Sequence, residues 1–280
     1  MNTPKTPVRR EQVEVAGTNL SYLTSGDDQA RPLLLLHGTF WSRVWLPILA
    51  ELGTARRCIA LDLPGFGRSG GELDITLATL PALAETVLAT ADALGLDTFE
   101  LAGHDIGGGI AQHIAATSGR VSRLVLMNSV MFDSWPVPAV ERFRDPEVRA
   151  ATTARELLDA RAVSTQRAVK RTLSDEELAD YLSPWTSPER HRSWMAMAAA
   201  ADARYTMDLV PVLREAQIPT RLVWGSDDDF QKVSFAHRYV TEIPGSDLVQ
   251  VEGKHIPTED SPDTVAQAIL DHLAPGSASL

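Results

Sequence analysis

Apolar positions along this chain fall into two patterns, short continuous runs and longer stretches that repeat every three or four residues. Leu33-Leu34-Leu35-Leu36 is a continuous run that stops at His37-Gly38. Segments 58–62, 99–102, 124–127, 220–224 and 248–251 follow the same plan. Such runs suit strands covered on both faces, as in a parallel sheet. Near the start, Val13-Glu14-Val15 and Leu20-Ser21-Tyr22-Leu23 alternate instead and predict an antiparallel pair. Helical spacing is clearest at 44–52, 77–94, 106–116 and 265–273. Strands alternating with helices predict an α/β fold: a mostly parallel sheet, eight strands in all, with helices on both faces.

The alternation breaks once. Residues 131–208 carry no clear strand, only arginines, glutamates, alanines and scattered tryptophans. An interval of roughly 75 residues is too long for a simple loop. It predicts a helical cap inserted into a core made of 1–130 and 209–280. The last residues, 275–280, are small and polar and read as disordered.

Composition narrows the function classes. The chain has 280 residues and a net charge of −11, so nucleic acid and anionic membranes are not expected partners. The single cysteine, Cys58, excludes an internal disulfide and sits in an apolar run, where a small core residue is expected. The N-terminal stretch has charges and prolines but no apolar core of a signal peptide, and no run approaches the ~20 residues of a membrane span. The expected setting is the cytoplasm. The expected partner is a small apolar substrate, with no cofactor or metal.

The chemistry concentrates at turns that follow the strands. Gly103-His104-Asp105-Ile106-Gly107, then Gly108-Gly109, has the G-x-nucleophile-x-G form of a sharp strand-to-helix turn. It follows an apolar strand and precedes a helix, as that turn requires. The competing reading is an ordinary helix-capping aspartate. In His37-Gly38-Thr39, the loop after another strand offers a backbone N–H to an oxyanion hole. The donors would be Thr39 and Ile106. His37 and His104 read as structural. Gly225-Ser226-Asp227-Asp228-Asp229 and Gly253-Lys254-His255 complete the order nucleophile, acid, histidine.

With these motifs the chain resembles the α/β-hydrolase superfamily, from His37-Gly38 through Gly65-Phe66-Gly67-Arg68-Ser69 and the elbow to His255. The resemblance implies that Asp228 is the acid orienting His255, with Asp227 and Asp229 as alternates. Asp133 is a weaker one, at the position used by some members. An aspartate in the elbow resembles the epoxide hydrolases and the haloalkane and haloacetate dehalogenases. A carboxylate is already ionised at neutral pH and can displace a leaving group from a saturated carbon. His255 would then activate the water that hydrolyses the ester on Asp105.

The resemblance leaves the leaving group open. Epoxide hydrolases protonate the alkoxide with cap tyrosines, for which Tyr181 and Tyr205 are the candidates. Dehalogenases hold halide with N–H donors, and Trp41, Trp135, Trp185 and Trp194 are available as ligands or pocket wall. Thr39 and Ile106 stand where dehalogenases commonly carry Asn and Trp, or Arg in the haloacetate enzymes. Those absences favour epoxide hydrolysis to a diol. Haloalkane or haloacetate dehalogenation is the alternative. A ligand-binding or proton-transfer protein without hydrolysis is a third reading.

Overall fold

The computed structural model describes residues 6–274, so the tail read as disordered lies outside the described residues. Eight strands form: β1 (Arg9–Val15), β2 (Thr18–Ser25), β3 (Pro32–Leu36), β4 (Arg57–Leu61), β5 (Phe99–Asp105), β6 (Val121–Ser129), β7 (Thr220–Gly225) and β8 (Ser246–Val251). They make one sheet of order β1-β2-β4-β3-β5-β6-β7-β8. β2 runs antiparallel to β1 and to β4, and all the other pairings are parallel.

The continuous apolar runs follow from burial on two sides, because successive strand residues point to opposite faces. Leu34, Leu36, Leu61, Leu101 and Leu126 join the core that includes residues of the helices α2 (Leu80–Ala93) and α3 (Ile106–Ser118). Leu33, Leu35, Cys58, Ala102 and Met127 join the opposite core, with α1 (Leu46–Leu52) and the helix Pro262–Leu273. Each leucine buried this fully is worth about 1.5–3 kcal/mol, so both faces hold the sheet in place. Cys58 lies among them, and burial pushes its thiol pKa well up, which keeps it in the inert thiol form.

Two helices start later than their apolar spacing predicts. A short 3-10 turn, Ser42–Trp45, precedes α1. In α2 the start is set by Thr79, whose hydroxyl accepts from the Ala82 N–H at 3.3 Å. The helices Val210–Ala216 and Val233–Glu242 escape the sequence pattern because they bury so little: Leu213 in the first, Ala236 and Tyr239 in the second.

Between β6 and β7 the described chain is helical and adds no strand. Capping boxes fix two of its helices, Thr153 with Glu156 at the start of Ala154–Arg167 and Ser174 with Glu177 at the start of Asp175–Leu182. This region is tied to the loop after β3. The Trp41 indole N–H donates to the Tyr181 carbonyl at 3.1 Å, and Arg43 reaches Asp180 at 2.7 Å. On these contacts we propose that 131–208 is a cap over the C-terminal ends of the parallel strands. No helix among the described residues is long and apolar enough to cross a membrane.

Candidate active site

β5 ends and α3 begins at Asp105, whose φ of 53° and ψ of −125° place a non-glycine residue in the left-handed half of backbone space. Such a residue costs about 1–3 kcal/mol and persists only where its surroundings enforce it. Here those surroundings require glycine. A Cβ on Gly107 would lie 2.6 Å from the carbonyl oxygens of Leu36 and His37, and one on Gly38 would lie 2.3 Å from Asp105 Oδ2. The missing side chains let β3, the elbow and α3 close on one another.

Asp105 stands at the N-cap of α3 yet makes no side-chain capping bond. That removes the ordinary capping reading. Instead Oδ2 accepts from the Thr39 backbone N–H at 3.0 Å and from the Thr39 hydroxyl at 3.1 Å. Oδ1 lies 3.9 Å from His255 Nε2. Ile106 is fully buried and opens α3, where the backbone N–H groups of the first turn have no partner within the helix. The two carboxylate oxygens therefore have different neighbours: one faces an N–H donor, the other an imidazole.

His255 sits in the loop after β8, and its Nδ1 donates to Asp228 Oδ2 at 2.9 Å. A carboxylate can only accept, so a neutral His255 presents Nε2 as the basic nitrogen toward Asp105. Burial opposes protonation of His255, but Asp228 and then Asp105 outweigh it and hold its pKa above the usual 6.5. Burial likewise opposes the charge on Asp228. The His255 interaction and hydrogen bonds from Asn128 and the Phe230 N–H more than offset it and hold the carboxyl below its usual range.

The alternates for the acid have other partners, and Asp229 also lines the cavity in front of Asp105 and His255. Asp227 pairs with Lys170 at 3.3 Å, Asp229 lies 3.9 Å from Arg167 and Lys254, and exposed Asp133 pairs with Arg238 at 3.2 Å. Asn128 is a supporting residue that the sequence reading missed. It is the next-to-last residue of β6, with a φ of 42°. Its side chain donates to Asp228 at 2.6 Å and accepts from the Gly225 N–H at 3.1 Å.

The two other histidines of the sequence motifs hold backbone. His37 Nε2 accepts from the Leu63 N–H at 2.9 Å, and His104 Nε2 donates to the His255 carbonyl at 2.8 Å. Burial pulls His104 down to about 4, so it stays neutral.

A cavity of about 390 Å³ opens in front of Asp105 and His255. Trp135, Val140, Phe143, Leu157, Trp194 and Phe230 supply apolar wall, and Arg142, Arg161 and Arg167 also line it. The expected apolar substrate would meet a mixed lining, apolar wall together with three arginines and Asp229. The candidate tyrosines do not reach this space. Tyr181 is buried outside the lining and donates to Glu259 at 2.8 Å, while Tyr205 is half-buried against the hydrophobic core. Trp41 and Trp185 are also outside the lining; only Trp135 and Trp194 of the four tryptophans face the cavity. The Trp194 indole nitrogen is buried without a hydrogen-bond partner. Among the described residues no cluster of three or more histidine, cysteine or acidic side chains could hold a metal ion.

A parallel sheet with an elbow, a histidine and an acid in this order defines an α/β-hydrolase. The chain belongs to the alpha/beta hydrolase family, whose model matches residues 33–268. It is 30% identical over 270 residues to the dihydrolipoyllysine-residue acetyltransferase component of the acetoin cleaving system of Pseudomonas putida, covering 94% of this chain and 69% of that protein. It is 26% identical to a haloalkane dehalogenase of Bradyrhizobium diazoefficiens, covering 93% of this chain and 92% of that one. It is 25% identical to epoxide hydrolase 4 of Mus musculus, covering 91% of this chain and 76% of that one.

Proposed function

We propose that this hydrolase cleaves a bond between a saturated carbon and a halogen through a covalent ester on Asp105. The observation that carries this reading is the division of the Asp105 oxygens, Oδ2 to Thr39 and Oδ1 toward His255. Oδ1 attacks the carbon and forms a C–O bond as the carbon–halogen bond breaks, its electron pair leaving with the halide. Water then adds to the Asp105 carbonyl carbon and gives one proton to His255 Nε2. The negative charge that develops on Oδ2 meets the Thr39 N–H, a donor of the kind worth roughly 3–4 kcal/mol in such a step. Collapse breaks the bond between the Asp105 carbonyl carbon and the substrate oxygen; that oxygen takes the proton from His255 and leaves as an alcohol, and the proton of the regenerated carboxyl passes to solvent, which restores the Asp105 carboxylate.

The leaving group is assigned from what the cavity presents. Halide is a weak base and needs only N–H donors; Trp194 lines the cavity, and its indole nitrogen is buried without a hydrogen-bond partner. An epoxide leaves as an alkoxide and needs a proton donor, yet among the described residues no tyrosine lines this space. Epoxide hydrolysis remains the second reading, favoured by the similarity to epoxide hydrolase 4.

The test is a panel of haloalkanes, halocarboxylates and epoxides, with halide and diol both measured, on the wild type and Asp105→Ala. We expect halide release by the wild type and a loss of at least about a thousandfold in the variant. Diol formation without halide release would reverse the leaving-group assignment. Full turnover by Asp105→Ala would remove the nucleophile. Absence of hydrolysis, with ligand affinity unchanged in Asp105→Ala, would favour a binding or proton-transfer protein.

A further inference from the structure

Thr39 supplies the N–H assigned to the second step, and its own carbonyl is held from the helical region. Arg161 Nη2 donates to that carbonyl at 2.7 Å, and among the described residues no other group bonds the oxygen. Arg161 is 6% exposed, on the buried stripe of the helix Ala154–Arg167 that it shares with Leu157 and Thr165. Its guanidinium lies 4.6 Å from the ring centroids of both Phe40 and Trp185, within cation–π distance. The Phe40 ring in turn lies 6.3 Å from that of His255. One side chain thus grips two successive residues of the loop after β3, the first bonded to Asp105 and the second packed toward His255. The group is not half of an ion pair: among the described residues no carboxylate salt-bridges it, and its Nε is buried without a hydrogen-bond partner. Asp229, which also lines the cavity, lies 3.9 Å from Arg167 and from Lys254 instead. Burial pulls the Arg161 pKa down, partly countered by Asp105, to about 10, which leaves it charged at neutral pH. An apolar side chain would pack against the same rings without the cost of a buried charge, so packing alone does not account for an arginine here.

We propose that Arg161 is a positioning residue for ester hydrolysis, holding Thr39 so that the Thr39 N–H meets the negative charge that develops on Asp105 Oδ2. The inference rests on the displacement reading above and assigns Arg161 to its second step. In the first step Oδ1 gives an electron pair to carbon and the carboxylate loses its charge. A donor and a cation held near Oδ2 favour the starting state there and give no acceleration. In the second step the water oxygen bonds to the carbonyl carbon, the C=O pair moves onto Oδ2, and a proton goes to His255 Nε2. Charge returns to Oδ2, where a fixed N–H is most effective because it need not reorganise. Arg161 comes from the helical region and Asp105 from the sheet, so the seating of that region sets the aim of the donor.

The test reads the two steps separately, with 1-bromobutane as the probe. Arg161→Met, which leaves no buried unpaired group and is checked for its melting transition, should form butanol at least about tenfold more slowly than the wild type. Its first equivalent of bromide should appear within about threefold of the wild-type rate, so that intact-mass measurement finds the butyl ester on the protein. Arg161→Lys keeps the charge but not the planar fork, and should recover part of the loss. Bromide turnover by the wild type, with both steps slowed equally in Arg161→Met or neither slowed, overturns this inference and keeps the displacement reading. A second arm needs no substrate: hydrogen exchange at the Thr39 amide should be at least about tenfold faster in Arg161→Met, with the Leu34 amide in β3 unchanged. Unchanged exchange at Thr39 overturns the inference whatever the turnover. Faster exchange at Thr39, with no bromide released by the wild type, supports the anchor at Arg161 and removes the displacement reading.

Discussion

His255 Nε2 stands 3.9 Å from Asp105 Oδ1, too far for a direct hydrogen bond. A serine nucleophile must lose a proton to its histidine, which demands contact. A carboxylate has no proton to lose, and its histidine has a different partner, the water of the second step. The spacing thus fits a base that acts on water rather than on the nucleophile.

If His255 serves only the second step, its removal should spare the first. His255→Gln should release about one equivalent of halide per protein and then stop. Intact-mass measurement should show the protein heavier by the substrate's organic residue. Sustained turnover at the wild-type rate would assign the water activation elsewhere.

The acid side of the pH profile should report His255. The base works only when neutral, so hydrolysis of the ester should increase as pH rises through a pKa held above 6.5, chiefly by Asp228 working against burial. Asp228→Asn removes that support and leaves burial dominant, so the acid limb should move to lower pH and the maximal rate should fall. A profile unchanged in position would contradict the Asp228–His255 pairing. A raised folded pKa also stabilises the fold most fully below the unfolded value, and that contribution fades as pH rises through the folded pKa.

Attachment of the helical region should depend on Glu259. This buried carboxylate accepts from Arg43 at 2.6 Å, Arg171 at 2.6 Å and the Tyr181 hydroxyl at 2.8 Å. Breaking such a buried network by removing one charge typically costs about 3–5 kcal/mol. Glu259→Gln should lower stability on that scale in denaturant unfolding. A loss below about 1 kcal/mol would show that the network adds little.

Much of this was legible in the sequence, for identifiable reasons. Burial on both faces forces runs such as Leu33-Leu34-Leu35-Leu36, so the strands announce themselves. The elbow is legible because close backbone approach at Gly107 tolerates no side chain. The family resemblance singled out Asp228 over Asp227 and Asp229, and it is the one that meets His255.

The cavity wall was less legible. Tyr181 and Tyr205 have the right chemistry, but their direction is set by packing between helices, which no local pattern encodes. Arg161 was missed because arginines on a helix usually mark a solvated face, as Arg155 and Arg167 do. A signal was present nonetheless: Leu157, Arg161 and Thr165 recur every four residues and form the buried stripe of their helix. An arginine on that stripe is buried by position. Asn128 was hidden because its partner lies a hundred residues away in sequence, in the loop after β7.

The covalent step can be read directly by turning over substrate in ¹⁸O-labelled water and then sequencing the peptide that contains Asp105 by mass spectrometry. On the proposed mechanism water attacks the carboxyl carbon of Asp105, so after several turnovers that side chain should carry ¹⁸O. In a single turnover with enzyme in excess, the alcohol product should keep an unlabelled oxygen taken from Asp105. Label in the product of that single turnover, with none in the side chain, would mean that water attacks the substrate directly and that Asp105 never forms the ester.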